Sequence, residues 1–287
     1  VRLILLTALT MCAFAANSVL NRMAVHGAGM DPLDFAALRL VSGAAALFVL
    51  ARVGGREMVI SGRLRLTGAA ALLTYMLGFS LAYLALGAGV GALILFGGVQ
   101  ITMFAGAVLG GEALPVQRWA GAGLALAGLA WMLWPVGGGG GVEPLAALSM
   151  AAAAVGWGIY SLAGRHEADP LAATAANFLL AAPIAALPAL LLPGASGAAV
   201  SLAGVGLALL SGIVTSGFGY ALWYSVLPRL GATRAAVAQL TVPVIAALAG
   251  MAILGERPGL GFVLAVALVL GGVGLSLLPA RARPARP

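Results

Sequence analysis

The side chains able to do chemistry in this chain are amides, phenols, indoles and hydroxyls set inside long apolar runs. Asn17 and Asn21 lie four residues apart, hence on one helical face. Tyr75, Ser80 and Tyr83 follow, then Gln100 and Thr102, then Trp157, Tyr160, Ser161 and Asn177. Ser211, Thr215, Ser216, Tyr220, Trp223 and Tyr224 form the densest group, with Gln239 and Thr241 beyond it. In an apolar medium an unpaired polar side chain is unfavourable, so such groups turn toward a helix-bundle interior. Ser and Thr commonly bond their own helix backbone. Tyr83, Trp223 and Tyr224 suit interfacial anchoring as well as lining, and Trp119, Trp131 and Trp134 are assigned to the interface or lipid. Asn17, Tyr75, Gln100, Trp157, Tyr160, Tyr220 and Gln239 lie deeper. They are predicted to line a cavity that holds a small zwitterion by hydrogen bonds and stacking.

Charge is nearly absent from these runs. The chain is 62% hydrophobic and 8% charged, where soluble domains carry about a quarter charged residues. Lipid is therefore the expected solvent. All fifteen basic residues are Arg, which excludes a lysine Schiff base and a P-loop lysine. The basic residues are scattered through short loops, so a nucleic-acid partner is not indicated. Cys12 is alone and cannot form an internal disulfide. His26 and His166 stand apart from other metal-ligating residues, so no metal site and no cofactor are expected. A membrane enzyme would need a nucleophile–base pair that this material does not supply.

Breaks at charge, Pro and Gly divide the chain into ten segments of roughly 20 apolar residues, the length of a membrane-spanning helix. They run approximately 3–24, 33–51, 65–86, 88–110, 115–135, 144–164, 170–192, 200–225, 231–254 and 259–279. A tight turn at Gly87-Ala88-Gly89 separates the third from the fourth. The first run continues past Ala13-Phe14-Ala15 to Ala24 and reads as a span rather than a cleaved leader. With the N-terminus in the cytoplasm, inside loops and ends hold twelve arginines and outside loops only Arg22 and Arg257. That bias places both termini in the cytoplasm of a multi-pass protein of the cell's inner membrane.

The segments are duplicated. Gly111-Glu112 and Gly255-Glu256 lie 144 positions apart, and Leu86-Gly87-Ala88 and Leu230-Gly231-Ala232 keep the same separation. Five spans per half is an odd number, so the halves are expected to enter the membrane in opposite senses. The expected fold is an all-α integral membrane protein of ten transmembrane helices in two inverted five-helix repeats. Residues 1–136 form the first repeat, 137–143 a Gly-rich linker, 144–279 the second repeat and 280–287 a basic cytoplasmic tail. A ten-span unit contains both halves, so a working monomer in the lipid bilayer is expected.

The repeat, the ten spans and the Gly-Glu closing the fourth span of each half resemble the drug/metabolite transporter superfamily, EamA type. The second half carries the likeness best. It shows Gly219-Tyr220-Ala221-Leu222-Trp223-Tyr224, then Gly231-Ala232, Val242-Pro243-Val244 and Leu254-Gly255-Glu256. In the first half Asn17 and Asp31-Pro32-Leu33 before Arg39 fit the pattern, and Asp169-Pro170-Leu171 repeats it; Val99 stands where Pro243 would have a counterpart. The resemblance implies an exporter or permease of amino acids, aromatic ones among them, or of related small metabolites.

The remaining residues refine that expectation. No carboxylate lies at the centre of a span, which disfavours proton-coupled export of organic cations. Deep Lys is absent and Arg39 is the one intramembrane cation, which disfavours phosphorylated substrates. A neutral or zwitterionic solute remains, carried by alternating access as a uniporter; proton-coupled drug or metabolite efflux and a channel are the alternatives. Arg39 is expected to pair with Asp31 or Asp34 at the outer end of its span, a structural role, with substrate binding as the alternative. Glu112 and Glu256 are expected to fix loops or helix starts, because a carboxylate favours a helix N-terminus. Pro243 removes a backbone bond inside the ninth span and is a candidate hinge. Gly106, Gly110 and Gly250 (the last paired with Ala246) are candidate close-packing positions.

Overall fold

A computed structural model describes residues 1–112, 114–133, 142–164, 167–191 and 201–276. Linker residues 137–141, the tail 280–287, Trp134, Arg165 and His166 lie outside the described residues.

The described chain is all helical. Its elements are α1 (Arg2–Arg22) with a π-helical extension (Met23–Gly27), α2 (Pro32–Val53), α3 (Arg63–Ala82), α4 (Ala88–Leu109) and α5 (Val116–Leu133). The second half holds α6 (Pro144–Gly164), α7 (Pro170–Leu191), α8 (Leu202–Leu209) and a π-helical segment (Leu210–Phe218). It closes with α9 (Gly219–Gln239), α10 (Thr241–Leu254) and α11 (Leu260–Ser276). By length and composition, seven helices among the described residues can cross a membrane.

Local sequence sets the helix ends. Asp31 caps α2, its Oδ1 accepting from the amides of Leu33 at 2.8 Å and Asp34 at 3.3 Å, with Pro32 opening the helix. Asp169 and Pro170 repeat the device at α7, where Asp169 accepts from the Ala172 amide at 3.1 Å. The two Gly-Glu pairs end α4 and α10 alike: Gly111 has φ +74° and Gly255 φ +67°. Only glycine adopts that left-handed turn without strain, and it folds the following glutamate back along the helix it leaves.

Helix packing follows the duplication. α2 packs on α7, α5 on α11 and α4 on α10; these are the pairs that the sequence duplication makes counterparts. α3 and α4 pack on α6, and α1 packs on α10, α9 and the second π segment. Small residues permit the approach. A Cβ at Gly78 would meet the Ser149 carbonyl at 2.5 Å, and one at Gly156 the Ala71 carbonyl at 2.7 Å.

The boundary between the eighth and ninth predicted segments is corrected. The expected break between 225 and 231 is helical, and the interruption falls at Leu240, between α9 and α10. Pro243 explains the position. It cannot donate to the carbonyl four residues back, so it sits in the first turn of α10, where a missing amide hydrogen breaks no helical bond. The two π segments were not foreseen. Their five-residue bonding period leaves no mark on a pattern of apolar residues that continues through them.

Candidate functional site

A cavity of about 610 Å³ opens between α4, α5, α6, α9 and α11. Gln100 and Phe104 line it from α4, Trp157, Tyr160 and Ser161 from α6, and Trp223, Tyr224, Leu227 and Gln239 from α9. Glu112 and Arg118 stand at its mouth, 3.9 Å apart and each about half exposed. The size suits a small solute, and the lining is aromatic faces with a few amides and hydroxyls.

Four of the seven predicted site residues meet in this space: Gln100, Trp157, Tyr160 and Gln239. Tyr75 and Tyr220 lie one layer behind it. The Trp157 ring is 4.9 Å from Tyr75, 5.3 Å from Tyr220 and stacks on Tyr160 at 5.4 Å. Phe14 on α1 closes the cluster edge-on against Tyr220 and Trp223. Asn17 is elsewhere. Its Oδ1 accepts from Ser211 Oγ at 2.8 Å and from Thr215 Oγ1, tying α1 to the second π segment.

Arg39 departs from expectation. It makes no ion pair with Asp31 or Asp34 and is fully buried between α2, α3 and the second π segment. Its Nε donates to Ser216 Oγ at 3.0 Å and its Nη2 to Tyr75 Oη at 3.3 Å. The guanidinium lies 5.2 Å from the Phe79 ring centre and 5.6 Å from that of Tyr75. Helix periodicity accounts for the difference: five residues from Asp34, Arg39 lies roughly 140° around the helix from it and faces Ser216. The π segment and a close contact allow this, since a Cβ at Gly212 would overlap Ser42 Oγ and the Arg39 carbonyl.

At the end of the bundle away from the cavity mouth, contacts between the halves are closed. Glu256 reaches the N-terminus of α4, where the Ala88 amide lies 2.9 Å from both its carboxylate oxygens. Arg22 Nε stands 3.8 Å from Glu256, and its Nη1 donates to the carbonyls of Tyr83 at 2.9 Å and Leu84 at 3.0 Å. Tyr83 is fully buried here, not an interfacial anchor. Gly250 makes room, for a Cβ there would lie 2.6 Å from Glu256 Oε2. Gly106, its counterpart 144 positions earlier, faces Leu162 instead, whose Cδ1 would be 2.5 Å from an added Cβ. Gly110 caps α4 against its own carbonyls.

A second set of ties joins the N-termini of α3 and α7. Arg65 Nη2 is 2.7 Å from Glu167 Oε1, and Nη1 donates to the Ala173 carbonyl and Asn177 Oδ1. Arg56 and Asp169 pair at 2.6 Å. Burial pushes the Asp169 carboxyl up, but the hydrogen bonds from Arg56 and the α7 amides outweigh it and leave the pKa below the ordinary aspartate value.

Apolar helices in related pairs, enclosing an aromatic cavity, define a multi-pass membrane protein fold. Residues 144–278 match the model of the EamA-like transporter family. The chain is 46% identical over 286 residues to the uncharacterized protein PA1977 of Pseudomonas aeruginosa, covering 99% of this chain and 98% of that one. A protein of known crystal structure shares the fold with a TM-score of 0.67 at 23% identity, over 95% of this chain and 98% of the other.

Proposed function

We propose that this chain exports amino acids, aromatic ones among them, or related small neutral or zwitterionic metabolites by alternating access. The observation that carries the reading is the asymmetry of the bundle. An aromatic and amide-lined cavity opens at one end, where Arg65–Glu167 and Arg56–Asp169 tie the halves beside the opening, while Glu256, Ala88 and Arg22 join the halves across the other end. With the termini in the cytoplasm, as the arginine distribution supports, the mouth at Glu112 and Arg118 faces the cytoplasm. A carrier in this state is ready to load a solute for export. The two halves rock about the cavity, and the closed contacts pass from one face to the other. Gly106, Gly110, Gly250 and the interruption ahead of Pro243 serve as packing and hinge positions in that motion.

Uniport is the coupling the lining favours. Among carboxylates only Glu112 lines the cavity, and it stands at the mouth. The likeness to a family of transporters gives an enzymatic reading no support. The test is counterflow in proteoliposomes, scanning the twenty amino acids with wild type and Trp157→Leu. Saturable, trans-stimulated exchange of a subset, weakened in the variant, is expected. Non-saturable flux would point to a channel, and loss of exchange on adding a protonophore at fixed pH would point to proton coupling.

A further inference from the structure

We propose that Arg39 is the anchor for an anionic group on the transported solute, so that the carrier selects solutes bearing a carboxylate. This rests on the carrier reading above and deepens it. Arg39 is fully buried in the α2 span, and no carboxylate among the described residues forms an ion pair with it. All eight carboxylates of the sequence fall among the described residues. The ion pairs formed there use Arg22, Arg56, Arg65 and Arg118 and leave Arg39 out. An unpaired guanidinium in a low-dielectric interior is costly, and neighbouring hydroxyls and ring faces offset only part of that cost.

The hydrogen-bonding count points the same way. Nε and Nη2 are used by Ser216 and Tyr75, but Nη1 is buried with no partner. The Tyr220 hydroxyl is also buried with no partner, and buried polar groups are otherwise almost always satisfied. Both belong to the aromatic cluster that contacts Trp157, whose ring borders the cavity. Two unfilled donors, one of them cationic, offer what a carboxylate accepts. Arg39 stands one aromatic layer from the cavity. It is reached when the Trp157 and Tyr220 rings part, in the step between the state open at the mouth and the state open at the opposite face. The aromatic walls then receive the body of the solute while Arg39 and Tyr220 fix its charged end.

The test titrates the purified protein with L-phenylalanine, phenylacetate and benzoate, each beside its carboxamide, and follows tryptophan fluorescence. Arg39→Gln removes the charge. Tyr220→Phe removes only a hydroxyl and, with an unchanged thermal midpoint, keeps the result free of misfolding. The carboxylates are expected to bind about tenfold or more tighter than their carboxamides, the scale of one lost hydrogen bond to a charged group. Arg39→Gln is expected to abolish that preference and Tyr220→Phe to reduce it. Carboxamides binding as well as carboxylates, or a carboxylate preference that survives in Arg39→Gln, overturns the anchor and leaves the carrier reading standing. Binding of none of the six solutes by wild type overturns the anchor and the aromatic amino-acid reading together.

Discussion

Glu256 reaches across the bundle to Ala88, and both its carboxylate oxygens lie 2.9 Å from the Ala88 amide at the N-terminus of α4. The residues are 168 positions apart and belong to different halves. A helix N-terminus carries unsatisfied amides and a partial positive charge, so an incoming carboxylate satisfies both. Because the contact joins the halves rather than one helix to its own loop, it ties them together at the face opposite the cavity mouth.

Weakening that contact should open the face. Glu256→Gln keeps the shape and removes the charge, worth about 1–2 kcal/mol where a helix end is partly buried. An equilibrium between two states shifts about 5- to 30-fold for such a change. The readout is maleimide labelling of Leu86→Cys, a position buried in this state, after Cys12→Ser removes the exposed native thiol. Labelling is expected to accelerate in Glu256→Gln. An unchanged rate would show that the contact does not hold the face closed.

The duplication gives the paired prediction. Glu112 occupies the place of Glu256 in the first half, yet here it is half exposed beside Arg118. Gly106 corresponds to Gly250, but Leu162 fills the space that Glu256 takes at Gly250. Gly250→Ala drives a methyl into the Glu256 carboxylate and should accelerate Leu86→Cys labelling as Glu256→Gln does. Glu112→Gln should slow it, because the alternative state loses the corresponding contact. The same sign of change in both variants would contradict a symmetric exchange of contacts.

These contacts show what a linear sequence can and cannot carry. The Gly-Glu pairs were legible as a duplication, and their glutamates as helix-start or loop-fixing residues, because spacing and residue type are local facts; Glu256 serves the start of α4, and Glu112 lies in the α4–α5 loop beside Arg118. That Glu256 serves a helix of the other half was not, since it depends on how the repeats interlock. Gln100, Trp157, Tyr160 and Gln239 could be found because polar groups in an apolar run must turn inward. Arg39 was misplaced for a related reason. The nearest acids in sequence, Asp31 and Asp34, are not its partners; Ser216 and Tyr75, 177 and 36 positions away, are. The Leu240 interruption was obscured because it precedes its cause, Pro243, by three residues.

Asn17 and Gln100 should separate in their effects. Asn17 bonds Ser211 and Thr215 across a helix contact, and such bonds are worth about 0.6–1.7 kcal/mol in membrane bundles. Asn17→Ala should lower the thermal midpoint with little change in the half-saturating solute concentration. Gln100→Ala, in the cavity wall, should raise the half-saturating concentration and leave the midpoint near wild type. Counterflow kinetics beside thermal unfolding distinguishes the two, and a reversal would move Asn17 into the solute path.

Acidification should loosen the tie between Arg56 and Asp169. The Asp169 pKa is below its ordinary value in the folded protein. Its contribution is therefore present above the unfolded carboxylate pKa and is lost as pH falls through the folded one. Both side chains are more than a third exposed, so solvent screening limits the contribution to about 1 kcal/mol or less. Thermal midpoints taken from neutral pH downward should show a small destabilisation below the ordinary aspartate range. Asp169→Asn should remove that component and start from a lower midpoint at neutral pH, since it loses both the ion pair and the charged cap on α7. A wild-type and variant pair with parallel pH profiles would show that the Arg56–Asp169 contact carries no stability of its own.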